Sequence, residues 1–155
     1  MNSNKSNLSK DQIDAVKLSI QQKKYDRALE LLNTISNKES NLDLVNRIRA
    51  SVYLYKKDWE KSLLYYQKID NKNNFNISNN MGVAFYKLGR FVEASAMFKE
   101  AISFNNKYIP AYENLSLTQK LLGNYELSIN CILQGLKLMP NNNKIKNYLI
   151  DILNY

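Results

Sequence analysis

The 155-residue sequence contains no histidine, one cysteine, two prolines and four glycines. Without histidine there is no Ser-His or Cys-His catalytic pair and no metal site built on imidazole ligands. The one cysteine, Cys131, cannot form an internal disulfide or a thiolate pair for zinc, and we expect it to behave as a small hydrophobic residue. Because glycine and proline are scarce, helices are favoured over a turn-rich β fold.

Other chemical signatures are also missing. There is no glycine-rich phosphate loop, and carboxylate pairs such as Glu93 with Glu100 have the spacing of an ordinary solvated helix face. We therefore expect a protein that is not an enzyme, with no catalytic residue, metal ion or cofactor. Residues 1–12 lack the apolar core of a secretory signal, and no run approaches the roughly 20 apolar residues of a membrane span. These two observations predict a soluble, unprocessed protein, and the single cysteine, which requires no oxidising compartment, favours a cytoplasmic location.

What the sequence does contain is internal repetition. Aromatic residues recur at intervals of 34, 32 and 34 residues, at Tyr25, Trp59, Phe91 and Tyr125. Each is followed by a small residue three positions later, a large apolar residue four positions after that, and a last residue three positions further on. These three columns hold Ala28, Ser62, Ala94 and Ser128; then Leu32, Tyr66, Phe98 and Ile132; then Ile35, Ile69, Ala101 and Gly135. The spacing puts all the columns on one stripe of a helix, so each repeat is predicted to bury that stripe of its second helix.

The first helix of each repeat has its own markers, which are clearest in the third and fourth repeats. They are Met81, Gly82, Phe85 and Gly89, then Leu115, Ser116, Gln119 and Gly123, together with Tyr112 and Pro140. This pattern resembles the tetratricopeptide repeat. In the first two repeats Val16 and Ala50 stand at the small-residue position, and Lys23 and Lys57 replace the turn glycines. A lysine at a left-handed turn position is expected to be mildly strained.

The resemblance implies an all-α fold, a right-handed α-solenoid of four helix pairs closed by a C-terminal capping helix. Residues 1–8 are expected to form a flexible tail and residues 9–155 a single domain. The expected repeats are 9–42, 43–74, 75–108 and 109–142, followed by a capping helix at about 144–154. Apolar residues of that helix, including Leu153, are expected to cover the last pair. Helix starts are predicted at Ser9 with Gln12, at Ser40 or Asn41, at Asp58 and at Pro110.

In the family that this chain resembles, the first helices of successive pairs line a concave groove that holds an extended peptide or a helix of a partner. The resemblance therefore implies a non-enzymatic protein-protein interaction scaffold whose ligand is a peptide or protein segment. The positions in or near the groove are Lys17, Arg47, Ser51, Leu54, Asn79, Asn80, Val83, Tyr86, Lys87, Glu113, Asn114, Leu117 and Lys120. This set is net basic, which favours an acidic ligand.

Asn80 and Asn114 occupy equivalent positions one repeat apart. An amide donates to and accepts from a peptide backbone at once, so one interpretation is a clamp on the ligand main chain, and chance in an asparagine-rich chain is the other. Some members of the family also grip the terminal carboxylate of chaperone tails with lysine and arginine. That clamp is incomplete here, since Ile13, Ile48 and Pro110 stand at matching positions. A chaperone-tail receptor is therefore not predicted.

Two other functions remain open from the sequence. One is an oligomer-forming structural subunit that uses an open solenoid end, where Ile150 and Tyr155 lie outside the expected capping stripe. The other is association with RNA, which the net charge of +8 suggests. Nucleic acid is the less favoured partner, because the charges are spread along the chain and the aromatic residues are expected in the core. Only the adjacent lysine pairs 23–24 and 56–57 form a small basic edge.

Overall fold

The computed structural model describes residues 10–35 and 42–153, which form nine helices and no strand. In chain order these are α1 (Lys10–Gln21), α2 (Tyr25–Thr34), α3 (Leu42–Tyr55), α4 (Trp59–Gln67), α5 (Phe75–Lys87), α6 (Phe91–Phe104), α7 (Ile109–Leu121), α8 (Tyr125–Leu138) and α9 (Asn143–Leu153). The predicted all-α fold of helix pairs is confirmed for this part of the chain. The chain divides into two compact units, Met1–Asn71 and Lys72–Tyr155, so that α1 to α4 belong to the first and α5 to α9 to the second.

The second helix of every pair buries the stripe that the sequence columns predict. The small residues Ala28, Ser62, Ala94 and Ser128 are completely buried. The large apolar residues are at most 1% exposed, at Leu32, Tyr66, Phe98 and Ile132. A small side chain allows the paired helices to approach closely, and the large one fills the space between them. Burial of this stripe is therefore the main apolar contribution of each second helix to its unit.

Two of the small positions also carry hydrogen bonds between paired helices. Ser62 Oγ donates to the Ala50 carbonyl over 2.9 Å, and Ser128 Oγ donates to the Ser116 carbonyl over 2.8 Å. Both serines are completely buried, so these bonds satisfy groups that would otherwise lose their contact with water. Serine thus replaces alanine at these positions without leaving an unsatisfied hydroxyl.

The turn inside each pair has the same backbone structure in all four repeats. The backbone N–H three residues past the end of the first helix donates to the carbonyl five residues earlier, in Lys24 to Ser19, Asp58 to Tyr53, Arg90 to Phe85 and Asn124 to Gln119. The residue before each donor has a left-handed backbone, with φ of 58° at Lys23, 63° at Lys57, 74° at Gly89 and 77° at Gly123. This is the Schellman ending of a helix, which favours glycine. The left-handed backbone expected at the two lysines is confirmed by their positive φ, and the strain that it implies stays a prediction.

Replacing Lys57 by glycine is expected to raise the free energy of unfolding by about 0.5–1 kcal/mol, because glycine adopts this backbone without a Cβ penalty. The reverse change, Gly89→Lys, is expected to lower it by a similar amount. A Cβ at Gly89 would meet no atom within 4 Å, so backbone strain alone is tested there. Urea unfolding of both variants measures the effect. Equal stability of wild type and both variants would show that the left-handed turns carry no strain.

Two of the four predicted helix starts are present in the described residues. The Asp58 carboxylate accepts from the backbone N–H of Lys61 over 3.1 Å at the start of α4, and its ion pair with the Lys61 side chain, 2.8 Å away, keeps the pKa of Asp58 below its usual value. Pro110 lies in the first turn of α7, where a missing N–H costs nothing. The predicted caps at Ser9 and at Ser40 or Asn41 lie outside the described residues.

Helix α9 packs on the second unit as the first helix of a further repeat would. On α5 the buried residues Ile77 and Ala84 are seven positions apart. Ile145 and Ile152 are buried with the same spacing at the equivalent positions of α9. The face that would receive a second helix is exposed, since no such helix follows within the described residues. The expectation that Leu153 covers the last pair is wrong: it is 64% exposed, because it lies on this open face.

Candidate ligand-binding surface

A pocket of about 210 Å³ lies on the second unit where α5, α6 and α7 meet. Its lining residues come from three helices: Val83, Tyr86 and Lys87 from α5, Phe98 from α6, and Asn114 and Leu117 from α7. All except Phe98 belong to the set that the sequence places in the groove. The structure therefore brings five of the predicted residues together around one depression.

Helical spacing explains why these side chains converge. Val83, Tyr86 and Lys87 are three and four positions apart, and so are on one face of α5. Asn114 and Leu117 have the same spacing on α7. Phe98 forms the floor: its ring is 1% exposed and packs against Gly82, which has no side chain to fill the space. The sequence assigned Phe98 to the core alone, and its role as a pocket floor follows only from the missing Cβ at Gly82.

A hydrogen bond joins the two first helices beside this pocket. The Asn114 side-chain amide donates from Nδ2 to Oδ1 of Asn79 over 3.0 Å. Asn79 is only 6% exposed, so its oxygen acts as a fixed acceptor for the neighbouring repeat. Asn80, which the sequence paired with Asn114 by position, is partly buried. The bond leaves Asn114 with a second N–H and a carbonyl oxygen, which is the capacity that a ligand main chain can use.

The wall formed by α5 combines an aromatic ring with a cation. The rings of Tyr86 and Phe91 meet edge to face with centroids 5.5 Å apart, which holds the Tyr86 ring in place. The Lys87 ammonium lies 5.8 Å from the centroid of the Tyr86 ring, and Lys87 itself is exposed. The pocket thus presents apolar surface and an amide, with a positive charge at its edge.

Two predicted groove residues contact the last helix. Glu113 forms an ion pair with Lys144 at the start of α9, and its side chain is only 11% exposed. This pairing raises the pKa of Lys144. Lys120 donates from Nζ to the Asp151 carbonyl over 3.2 Å. Both residues therefore help to hold α9 in place, and their charges are not simply those of an open groove.

The four predicted residues of the first unit lie on α1 and α3. Lys17 is exposed and pairs with Asp14 at 3.2 Å, so its charge is partly compensated. Ser51 donates to the Arg47 carbonyl over 3.0 Å and lies 3.2 Å from the Tyr66 hydroxyl. Arg47 is exposed and Leu54 is partly buried.

The sequence did not predict a second, more apolar depression of about 260 Å³ on α6, α7 and α8. Cys131 is one of its lining residues and is 6% exposed. Burial raises the pKa of the Cys131 thiol to about 11, so little thiolate is present at neutral pH. The cysteine therefore has the character of a small hydrophobic residue, as the sequence indicates.

The described residues, 10–35 and 42–153, hold no cluster of metal-ligating side chains, since no group of three or more carboxylate or cysteine side chains there could hold a metal ion. Within the same ranges, no helix has the length and apolar character needed to cross a membrane.

Comparison with known proteins identifies the repeat. The tetratricopeptide repeat model matches residues 75–108 and 109–142. No relative was found among curated protein sequences.

Three solved structures illustrate the shared fold. The first tetratricopeptide domain of Spaghetti (RPAP3), bound to the HSP90 peptide SRMEEVD, has 23% identity and a TM-score of 0.69 over 74% of this chain and 93% of that one. The second such domain of human RPAP3, in complex with the HSP70 peptide SGPTIEEVD, has 18% identity and a TM-score of 0.69 over 75% and 98%.

The MamA protein has 14% identity and a TM-score of 0.83 over 92% of this chain and 79% of that one. Identities this low show likeness of fold and nothing finer. The repeat model adds an independent match at two successive repeats of the second unit. Residues 75–108 and 109–142 match the tetratricopeptide repeat, and the described chain is similar in fold to solved tetratricopeptide-repeat domains.

Proposed function

We propose that this chain is a non-enzymatic protein-interaction scaffold, in which the pocket on α5, α6 and α7 binds an extended peptide or a segment of a partner protein. The observation that carries the proposal is the pocket itself. Its wall and floor are apolar, and Asn114 provides an amide beside them. This combination suits a chain segment with one apolar side chain and an accessible main chain.

The charge at the pocket favours an acidic segment. Lys87 is exposed at the edge, and no carboxylate is among the lining residues. An aspartate or glutamate next to the inserted apolar residue would meet this ammonium, and the chain as a whole has a net charge of +8. Two solved structures of this fold hold peptides that contain acidic residues, which supports the same ligand class here.

A limited contact area sets the expected affinity. One pocket of this size accepts a single large side chain, and an extended ligand loses conformational freedom on binding. A dissociation constant in the micromolar range is therefore expected, which corresponds to a favourable binding free energy on the order of 8 kcal/mol. Such weak binding suits a scaffold that exchanges its partners. We place the protein in the cytoplasm as part of this proposal.

The test begins with selection of peptides from a displayed random library on the immobilised full chain. The proposal expects enriched sequences with an apolar residue flanked by aspartate or glutamate. The enriched peptide is then titrated by isothermal calorimetry against wild type and Lys87→Glu. We expect at least a tenfold increase in the dissociation constant for Lys87→Glu, because the cation becomes a like charge.

The matched control is Lys146→Glu, which makes the same charge change on an exposed residue of α9. Its dissociation constant is expected to stay within twofold of wild type. Equal weakening by both changes would mean that only net charge matters. Failure to enrich any acidic or apolar sequence would contradict the proposed function.

A further inference from the structure

The first unit has a second surface that the peptide pocket does not use. It consists of the two turns that join α1 to α2 and α3 to α4, and we call it the turn edge. Its members are Lys23, Lys24, Tyr25, Tyr55, Lys56 and Lys57. The Tyr25 and Tyr55 rings are stacked, with centroids 6.0 Å apart and planes inclined by 18°. The stack joins the two turns, so their lysines lie beside one another on the same edge.

The stack leaves an aromatic surface open to solvent. One face of the Tyr55 ring is covered by Tyr25, yet Tyr55 is 55% exposed. The sequence-based expectation that aromatic residues are committed to the core is wrong here, because Tyr55 ends α3 at the edge of the unit. A flat, fixed and exposed ring next to cations is a platform on which a nucleobase can stack.

Positive charge dominates the turn edge. Lys23, Lys24 and Lys57 are exposed, and Lys56 forms an ion pair with Asp26. The nearby carboxylates of Glu30 and Asp58 are matched by Arg27 at 3.0 Å and Lys61 at 2.8 Å. The four lysines and Asp26 therefore leave a net charge of about +3 on this edge at neutral pH. Such a concentration of positive charge attracts phosphate groups.

The backbone gives an independent indication that lysine is used here for its charge. Lys23 and Lys57 are the two non-glycine residues with positive φ within the described chain, and they occupy equivalent turns. The second unit has Gly89 and Gly123 at the same positions. Asparagine, abundant in this sequence, tolerates this backbone better than lysine. Because this backbone recurs at two equivalent exposed lysines, we infer that these lysines have a role other than stabilising the fold.

We propose that the turn edge binds single-stranded nucleic acid, with the lysines on successive phosphates and a base stacked on Tyr55. An extended strand suits this edge better than a duplex, because a paired base offers no free face to the tyrosine ring. This site is separate from the peptide pocket, which lies on the second unit. A negative result for nucleic-acid binding would therefore leave the proposed peptide-binding function unaffected, and the reverse also holds.

The experiment measures fluorescence anisotropy of a labelled 12-nucleotide oligouridylate as the full chain is titrated in 20–200 mM KCl. We expect the logarithm of the association constant to fall linearly with the logarithm of the salt concentration. The expected slope is about −2, because each of three neutralised phosphates contributes about −0.7. The variant Lys23→Gly, Lys57→Gly is expected to bind at least tenfold more weakly at 50 mM salt, with a slope of about −0.7.

This double variant separates binding from folding, because the same change relieves backbone strain. Its melting temperature is expected to equal or exceed that of wild type while its affinity falls. Tyr55→Leu is expected to weaken binding about fivefold or more without changing the salt slope, since it removes stacking and no charge. The charge control is Lys107→Gln, Lys146→Gln on the second unit, which is expected to bind as wild type does.

Three outcomes would overturn the proposal. The first is no change in anisotropy at 20 mM salt. The second is equal loss of affinity in the turn-edge and control variants, which would indicate binding through net charge alone. The third is binding to vesicles that contain about 30% phosphatidylserine with none to the oligonucleotide, since the edge would then recognise a lipid surface.

Discussion

Replacing Gly82 by alanine is expected to lower the free energy of unfolding by about 2 kcal/mol. A Cβ at this position would lie 2.5 Å from Cε1 and 2.7 Å from Cδ1 of the Phe98 ring, closer than carbon atoms can pack. The ring is 1% exposed and forms the floor of the peptide pocket, so it has little room to move. For a chain of this size the melting temperature should fall by about 4–8 °C.

The control for Gly82 is Gly135, the other glycine that lies inside a helix. A Cβ at Gly135 would lie 3.2 Å from the end methyl of Ile145, which shifts more easily than a buried ring. Gly135→Ala is therefore expected to cost less than about 1 kcal/mol. In a double-mutant cycle, Phe98→Leu should recover part of the loss caused by Gly82→Ala. Additive effects of these two changes would contradict the proposed contact.

Truncation of Ile145 to alanine is expected to lower the free energy of unfolding by about 2–4 kcal/mol. Ile145 is 1% exposed and forms a buried cluster with Ile132 and Ile152, through which α9 packs on α8. Removing three carbon atoms there leaves a cavity that α9, a helix of 11 residues, can close only by shifting. Thermal unfolding followed by circular dichroism measures the change.

The matched control is Ile150→Ala on the same helix. Ile150 is 55% exposed, because it lies on the face that would receive a further helix. The same truncation there is expected to change stability by less than about 0.5 kcal/mol. If Ile150→Ala were as costly as Ile145→Ala, the face assigned to solvent would instead be covered, as in an oligomer built through α9.

The repeat pattern could be predicted from the sequence because it depends on local spacing. Columns of aromatic, small and large residues determine which face of each second helix is buried, and the structure confirms this at Leu32 and Phe98. The strained turns at Lys23 and Lys57 could be predicted because glycine stands at the equivalent positions of the later repeats. Both predictions use only residues within one repeat or at equivalent positions.

The features that the sequence did not predict depend on contacts between elements far apart in the chain. Glu113 and Lys120 were assigned to an open groove, but both contact α9, which a rule based on the first helices alone leaves out. The hydrogen bond from Asn114 to Asn79 joins residues 35 apart, and positional equivalence pointed to Asn80 instead. The division into two units falls at Asn71, in a polar segment that the sequence predicts to be a turn between repeats.

The candidate pocket was predictable in part. Val83 and Leu117 follow from helical spacing on α5 and α7, whereas the floor at Phe98 requires knowledge of how closely α6 approaches Gly82. The identity of the ligand depends on side chains of another molecule. The charge of Lys87 and the apolar lining define its class, an acidic segment with an apolar residue, and nothing narrower.

The most direct test of the central claim is a nuclear magnetic resonance titration of the isotope-labelled full chain with the selected acidic peptide. Amide signals of Val83, Tyr86, Asn114 and Leu117 are expected to shift together in proportion to bound peptide, whereas those of α9 are expected to stay unchanged. Side-chain amide signals of Asn114 should shift with them. Shifts confined to the first unit, or spread over exposed lysines without these four residues, would contradict the assignment of the pocket as the binding site.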